Sequence, residues 1–159
     1  MVFFKRDYES PIGRMSLLAS QDGLIGAWFV GQKHLERWQQ LETISRKTEH
    51  LYQAKAWLDA YFSGDFSYPS PSIITQGTSF QKDVWYQLSC IEHHQVATYG
   101  QIAKQLGCAS AQAVGGAIAR NPLVLFIPCH RVVARDGKLT GYVAGLSRKE
   151  WLLQHEGIL

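Results

Sequence analysis

The chain has 159 residues, 46% of them hydrophobic and 18% charged, which indicates a globular protein and excludes a low-complexity or repetitive one. Its formal net charge of +3 comes from residues 76–159, because the first 75 residues carry equal numbers of basic and acidic side chains. No apolar run could cross a membrane, and the N-terminus lacks the apolar core of a secretory signal. We therefore expect a cytoplasmic protein, or a nuclear one in a eukaryote, with no membrane partner.

The first half of the chain predicts a small α+β domain. Apolar runs at 15–20 and 24–29 flank an Asp-Gly pair, which favours a β-hairpin. Apolar residues then recur at helical spacing over 51–62 and stop at a Ser-Gly pair. Turn-forming residues at 68–72 predict a linker. We place the domain boundary there, with a scaffold domain at 1–72 and a second domain at 73–159.

The second half predicts a helix-turn-helix. Thr98 followed three residues later by glutamine is a capping box, and it opens a short helix that Gly107 ends. Ser110 then caps a helix over 111–119. Two short helices joined by a glycine-containing turn are typical of this motif. Its second helix is rich in Ala and Gly, which favours either tight helix packing or a close approach to a DNA backbone.

Two further helices are predicted on either side of this motif. Thr78 with Gln81 forms another capping box at the start of an apolar-faced helix. Ser147 with Glu150 predicts a third box, which opens a final helix ending at Gly157.

An apolar run at 123–127 leads into Pro128, Cys129 and His130. The run predicts a buried strand or extended segment, and Pro128 predicts a rigid turn after it. A cysteine beside a base is a candidate nucleophile. The alternative is a core cysteine, since free cysteines are usually buried and adjacent side chains diverge.

The three cysteines are Cys90, Cys108 and Cys129. An odd number without a Cys-x-x-Cys pair argues against a disulfide framework and against a cysteine-rich zinc site. We expect Cys90 and Cys108 to be structural thiols, and we expect no metal and no cofactor.

A longer pattern surrounds the Pro-Cys-His-Arg-Val stretch at 128–132. It comprises Thr98-Tyr99, 113–117 and Asn121-Pro122 upstream, and Gly141-Tyr142, Gly145-Leu146, 149–153 and 155–157 downstream. In order and spacing, the chain from about Gly77 to its C-terminus resembles the O6-alkylguanine-DNA alkyltransferases, which are suicide repair proteins.

The resemblance implies a small N-terminal α/β domain, ribonuclease H-like, followed by a mainly helical C-terminal domain with a winged-helix-like helix-turn-helix. It implies a monomer that binds double-stranded DNA, flips out O6-alkylguanine and transfers the alkyl group irreversibly, once per chain, to Cys129. O4-alkylthymine is a further candidate substrate, and no cofactor is needed.

The resemblance also assigns catalytic roles. His130 is the base that acts on Cys129 through a water, and Glu156 orients it. Asn121 supports the turn that holds the cysteine, and Tyr99 protonates or hydrogen-bonds the leaving guanine. On the sequence alone, Glu156 could instead be a surface charge, Asn121 a turn former before proline, and Tyr99 a packed aromatic residue.

The substrate pocket implied by the resemblance is shaped by Tyr142, and backbone groups of Cys129, Val132 and Val143 read the base. The helix at 111–119 is expected in the minor groove. Gln112 stands where many relatives have an intercalating arginine, so we expect weaker DNA binding than in those relatives. The candidate DNA contacts, each with a solvated-surface alternative, are Ser110, Gln112, Ala113, Gly115, Gly116, Arg120, Arg131 and Arg135, with Lys104 and Lys138 as further cations.

Two other functions are alternatives to alkyl transfer. A non-catalytic lesion-binding protein of the same fold would lack the cysteine, and Cys129 argues against it. A thiol hydrolase using cysteine, histidine and glutamate would require turnover. The number of alkyl groups processed per chain discriminates among the three.

Overall fold

The structure is a computed structural model that describes all residues, 1–159. Two compact units make up the chain. The N-terminal unit comprises Met1–Gln76 and Pro122–Val124, and the C-terminal unit comprises Gly77–Asn121 and Leu125–Leu159. The α+β class is confirmed, with a small sheet domain first and a mainly helical domain second. None of the helices combines the length and the apolar character needed to span a bilayer.

The N-terminal unit is built on a three-stranded antiparallel sheet of order β1-β2-β3. Its elements are β1 (Phe4–Ser10), β2 (Gly13–Ala19), β3 (Leu24–Phe29), α1 (Glu36–Gln39) and α2 (Glu49–Phe62). The predicted hairpin corresponds to β2 and β3 and is confirmed. The predicted helix is α2, which ends where expected, at Ser63.

β1 was not predicted, because its sequence does not alternate between apolar and polar residues. Only Phe4 and Tyr8 are buried along it. The Tyr8 hydroxyl donates a 2.7 Å hydrogen bond to Asp59 of α2. A tertiary contact therefore stabilises a strand whose own pattern is weak.

Pro122–Val124 joins the N-terminal unit through β3. The Ala27 amide donates to the Pro122 carbonyl at 2.7 Å, and the Val124 amide donates to the Ala27 carbonyl at 2.9 Å. The apolar run at 123–127 is buried, as predicted, but it is not one strand. Leu125 has φ +75°, and the chain turns there after a short parallel bridge.

The C-terminal unit contains α3 (Ser79–Ser89), β4 (Ala97–Thr98), α4 (Tyr99–Gln105), α5 (Ala111–Ala119), β5 (Val132–Val133) and α6 (Leu146–His155). β4 and β5 pair in parallel. Both predicted capping boxes at Thr78 and Thr98 are present.

The helix-turn-helix consists of α4 and α5. Gly107 adopts φ +64° in the turn, and the Ser110 hydroxyl accepts a 3.0 Å hydrogen bond from the Ala113 amide. Behind α5, the indole Nε1 of Trp85 donates to the Ala117 carbonyl at 2.9 Å. This bond fixes α3 against the buried side of α5 and leaves the other side of α5 exposed.

The predicted capping box at Ser147 is wrong. α6 begins at Leu146, its N-cap is Gly145 with φ +98°, and no side chain caps it. The Gly145 carbonyl accepts the first helical hydrogen bond, from the Lys149 amide at 3.1 Å, so Ser147 already lies inside the first turn. The predicted end is confirmed, since Gly157 adopts φ +79° after the last helical residue.

Candidate active site

Cys129 lies in a single 3-10 turn, Cys129–Arg131, directly after Pro128. Its side chain is buried, with 2% exposure, and His130 is fully buried. Asn121 is also fully buried, and its Nδ2 donates a 3.0 Å hydrogen bond to the Ile127 carbonyl. Asn121 thus ties the chain before the apolar run to the residue that precedes Pro128.

Glu156 is fully buried and lies at the end of α6. Its Oε2 lies 2.5 Å from Nε2 of His130, and its Oε1 accepts a 2.7 Å bond from Nε of Arg131. Burial acts to raise the pKa of Glu156, but hydrogen bonds and charges from His130 and Arg131 outweigh it and lower the pKa to about 2. The carboxyl group is therefore ionised, and the surface-charge alternative does not apply.

An ionised Glu156 determines the tautomer of His130. Because a carboxylate only accepts, Nε2 carries the proton that forms the bond. Nδ1 has no hydrogen-bond partner, so it presents a lone pair. Burial lowers the pKa of His130, although the neighbouring carboxylate acts in the opposite direction. A neutral imidazole with a free lone pair can accept a proton.

The thiol of Cys129 needs such a base. Burial raises its pKa, while a hydrogen bond from Asn121, the charge of Lys149 and a hydrogen bond from Tyr142 favour the thiolate. Burial dominates, so the resting thiol is neutral and must lose its proton before it can act as a nucleophile.

Lys149 is a site residue to which the sequence assigned no role. It is fully buried, and its Nζ donates to the carbonyls of Thr140 and Gly141 at 3.0 and 3.2 Å. Burial lowers its pKa to about 8, and the nearby Cys129 opposes that effect. The sequence does indicate this burial, because positions 149 and 156 lie on the same helical face as the buried Leu152 and Leu153.

Tyr99 and Tyr142 both interact with Cys129, Tyr142 by a side-chain hydrogen bond and Tyr99 electrostatically. The Tyr99 hydroxyl donates to the Thr140 carbonyl at 3.2 Å. A Cβ added to Gly115 would lie 3.9 Å from the Tyr99 ring, and one added to Gly141 would lie 3.7 Å from the Tyr99 hydroxyl, so both glycines border this side chain. Burial raises the pKa of Tyr99, so its phenol stays protonated at neutral pH. A protonated phenol can donate a hydrogen bond to a leaving group.

The remaining substrate and DNA candidates differ in accessibility. Val132 is buried and Val143 is half-buried. On α5, Gln112 and Ala113 are exposed, as is the Ser110 cap, while Gly115 and Gly116 are partly exposed. The exposed cations are Arg120, whose Nη1 reaches the Gly116 carbonyl at 3.0 Å, and Arg135, Lys104 and Lys138.

Arg131 differs from the other candidate cations. Its side chain is only 13% exposed, and besides Glu156 it contacts the Ile91 carbonyl, to which Nη1 donates at 2.6 Å. The geometry favours a role within the site over a phosphate contact.

The other thiols lie outside this site. Cys90 is exposed at the end of α3, and the sulfur of Cys108 exchanges 3.5 Å hydrogen bonds with the backbone of Ser110. No group of three or more His, Cys, Asp or Glu side chains is arranged to hold a metal ion. That the protein works without a metal stays a prediction.

Two family models match the chain. The model described as 6-O-methylguanine DNA methyltransferase, DNA binding domain, matches residues 79–158. The model described as 6-O-methylguanine DNA methyltransferase, ribonuclease-like domain, matches residues 4–67.

Similar proteins carry matching names. A methylated-DNA–protein-cysteine methyltransferase from Methanosarcina acetivorans is 41% identical over 155 residues, which cover 94% of this chain and 96% of the relative. One from Salmonella typhimurium is 41% identical over 162 residues, which cover 94% and 93%. The crystal structure of Mycobacterium tuberculosis OGT in complex with DNA superimposes with a TM-score of 0.84 at 33% identity, covering 98% of this chain and 92% of that one.

Proposed function

The chain belongs to the 6-O-methylguanine DNA methyltransferase family, and we propose that it repairs DNA by moving the alkyl group from O6 of guanine onto the sulfur of Cys129. The observation that carries this proposal is the buried pair of His130 and Glu156 directly beside the buried Cys129 in the chain. An ionised Glu156 orients His130, and His130 keeps an unpaired Nδ1 one residue away from the thiol.

The reaction is a displacement at carbon. Cys129 loses its proton to Nδ1 of His130 through a bridging water, because adjacent side chains diverge. The thiolate attacks the alkyl carbon, a carbon–sulfur bond forms, and the bond between that carbon and O6 of guanine breaks. Tyr99 donates a proton to the leaving guanine, and the proton lost by Cys129 restores the phenol. The products are an unmodified guanine and a thioether, so each chain reacts once.

The substrate must leave the base stack to reach a buried sulfur. We assign Tyr142 to the wall of the pocket that receives it, and backbone groups of Cys129, Val132 and Val143 to reading its edge. Asn121 supports the turn that presents the thiol. Backbone reading depends little on side-chain identity, so a valine at 143 is compatible with it.

DNA binding is assigned to the exposed side of α5 and the cations near it. The α5 surface offers Ser110, Gln112, Ala113, Gly115 and Gly116, and Arg120 and Arg135 are phosphate contacts. We propose that residues 73–159 carry out binding and transfer, that residues 1–72 serve as a scaffold, and that the protein acts as a monomer on double-stranded DNA.

The test is stoichiometric. Wild-type protein is incubated with an excess of duplex DNA containing one O6-methylguanine, and its intact mass is measured. We expect a gain of one methyl group per chain, mapped to Cys129 by peptide analysis. No gain would favour a non-catalytic lesion-binding protein, and release of more than one methyl group per chain would favour a hydrolase.

The matched variant is Cys129→Ser. A hydroxyl is a far poorer nucleophile than a thiolate at neutral pH, so we expect no methyl gain while the fold and DNA binding persist. Circular dichroism and a binding titration provide those two controls. Methyl gain in this variant would show that another residue is the acceptor.

A further inference from the structure

Arg131 occupies a position that neither the transfer step nor DNA binding explains. It follows His130 on the same 3-10 turn, yet its guanidinium points into the protein. Nε donates to Oε1 of Glu156 at 2.7 Å, and Nη1 donates to the Ile91 carbonyl at 2.6 Å. Two donors of the fork are thereby committed to buried acceptors.

The carboxylate of Glu156 is divided between two partners. Oε2 faces His130 and Oε1 faces Arg131, so each oxygen has its own donor. A fully buried carboxylate needs such pairing, because an unpaired buried charge is strongly destabilising. Without Arg131, the group could rotate or take up a proton, and either change would remove the acceptor that holds the Nε2 proton of His130.

We propose that Arg131 is a positioning residue of the transfer reaction, which fixes Glu156 with Oε2 towards His130 and so keeps Nδ1 of His130 available as the base. The hydrogen bond from Nη1 to the Ile91 carbonyl, 40 residues away in the chain, fixes the guanidinium in turn. This inference rests on the proposed function, since it concerns the same thiol and the same base.

The charges around His130 predict how this role can be detected. The charged groups that act on His130 are Glu156 at the end of α6, Lys149 in α6 and Arg131 on the same turn, and Cys129 precedes it in the chain. Arg131 and Lys149 both oppose a positive imidazole, and Glu156 favours it. Arg131 also lowers the pKa of Glu156, through its hydrogen bond and its charge. Without Arg131, the pair of Glu156 and His130 therefore takes up a proton at a higher pH, and the arrangement of ionised Glu156 and neutral His130 is lost there.

The experiment compares Arg131→Met and Arg131→Gln with Arg131→Lys. Single-turnover methyl transfer from duplex DNA is measured across pH for each variant at saturating DNA. We expect the acidic limb of the rate profile to move to higher pH in Arg131→Met and Arg131→Gln. In Arg131→Lys, which keeps the charge, the limb should stay near its wild-type position. Arg131→Gln retains an amide donor for Glu156. If Arg131→Met does not fold, Arg131→Gln alone tests whether the acidic limb moves.

Arg46→Met is the control, because it removes the same charge from an exposed arginine of the N-terminal unit that has no part in the proposed site. It should keep the wild-type limb. The salt dependence of DNA binding is measured on all variants. An unmoved limb together with a salt slope reduced by roughly one unit would make Arg131 a phosphate contact and overturn the inference. A rate lowered equally at every pH would reduce it to a purely structural residue and overturn it as well.

Wild-type protein distinguishes failure of the proposed function from failure of the role of Arg131. If it gains no methyl group, the proposed function fails. If it gains one and the limb of Arg131→Gln is unmoved, only the role of Arg131 fails.

Discussion

Four polar side chains of the C-terminal unit, Asn121, His130, Lys149 and Glu156, are fully buried. Burying polar and charged groups is costly unless they are paired, and each of these has a partner around Cys129. Asn121 and Lys149 offset part of the effect of burial, which raises the pKa of the Cys129 thiol. Apolar side chains could fill the same space at lower cost, so packing alone does not account for these four residues.

Glu156→Gln tests the orientation of the base. Glutamine has nearly the same shape but no charge, and its NH2 group replaces one of the two acceptor oxygens that face His130 and Arg131. We expect methyl transfer to slow by roughly 100- to 10,000-fold, the range typical of losing general acid–base support. The measurement is single-turnover transfer with saturating DNA at neutral pH, with Glu150→Gln, an exposed site on the same helix, as the control. A rate within about twofold of wild type would contradict the role of Glu156.

At the level of elements, the sequence predicts most of the helix caps correctly. The capping boxes at Thr78 and Thr98 and the Ser110 cap depend on residues three positions apart, so the sequence contains them completely. The start of α6 was missed, because Gly145 caps it by adopting a positive φ, and a serine-glutamate pair two residues later imitated a cap.

The site residues whose partners lie far away in the chain could not be predicted from local sequence. Cys129, His130 and Glu156 were assigned through the family resemblance, since 26 residues separate the histidine from the glutamate. Arg131 was grouped with surface cations, because neither spacing nor composition indicates the carbonyl of Ile91 as its partner. Lys149 could have been recognised from its place on the buried face of α6.

α5 presents Gln112 in its exposed first turn, where a DNA-reading helix usually makes contact. Gln112→Arg adds a charge that is retained at any relevant pH. We expect tighter binding to lesion-free duplex and a salt slope steeper by roughly one unit, from one more phosphate contact. The measurement is binding across a salt series, accompanied by thermal unfolding.

Gln40→Arg is the control for this change, because it adds the same charge at an exposed glutamine of the N-terminal unit. A similar gain in both variants would indicate a general charge effect. An unchanged salt slope with a lowered melting temperature in Gln112→Arg would mean that the exposed side of α5 does not contact DNA.

At the scale of the whole molecule, the chain passes three times between its two units, after Gln76, after Asn121 and after Val124, since Pro122–Val124 belongs with the N-terminal sheet. The flanking residues Asn121 and Leu125 belong to the C-terminal unit, and Asn121 bonds to the Ile127 carbonyl there. The segment just before Cys129 therefore has both of its ends in the C-terminal unit and residues 122–124 in the N-terminal unit. Only a tertiary structure could reveal this, because the sequence shows one uninterrupted apolar run.

Stability should also reflect the burial of Lys149. Burial lowers its pKa from 10.5 to about 8, so between these values the unfolded chain binds a proton that the folded protein releases. The stability cost of this group is therefore fully present below pH 8 and disappears as the pH rises to 10.5. Lys149→Met lacks the cost at every pH, although it also loses the two hydrogen bonds to the carbonyls at 140 and 141.

Relative to Lys149→Met, wild-type protein should gain on the order of 2 kcal/mol of stability between pH 8 and pH 10.5. Denaturant unfolding at pH 8 and pH 10 measures the difference, with Lys104→Met, an exposed lysine, as the control that should show no such change. A stability difference that stays constant with pH would show that Lys149 titrates in the folded protein as an ordinary surface lysine does.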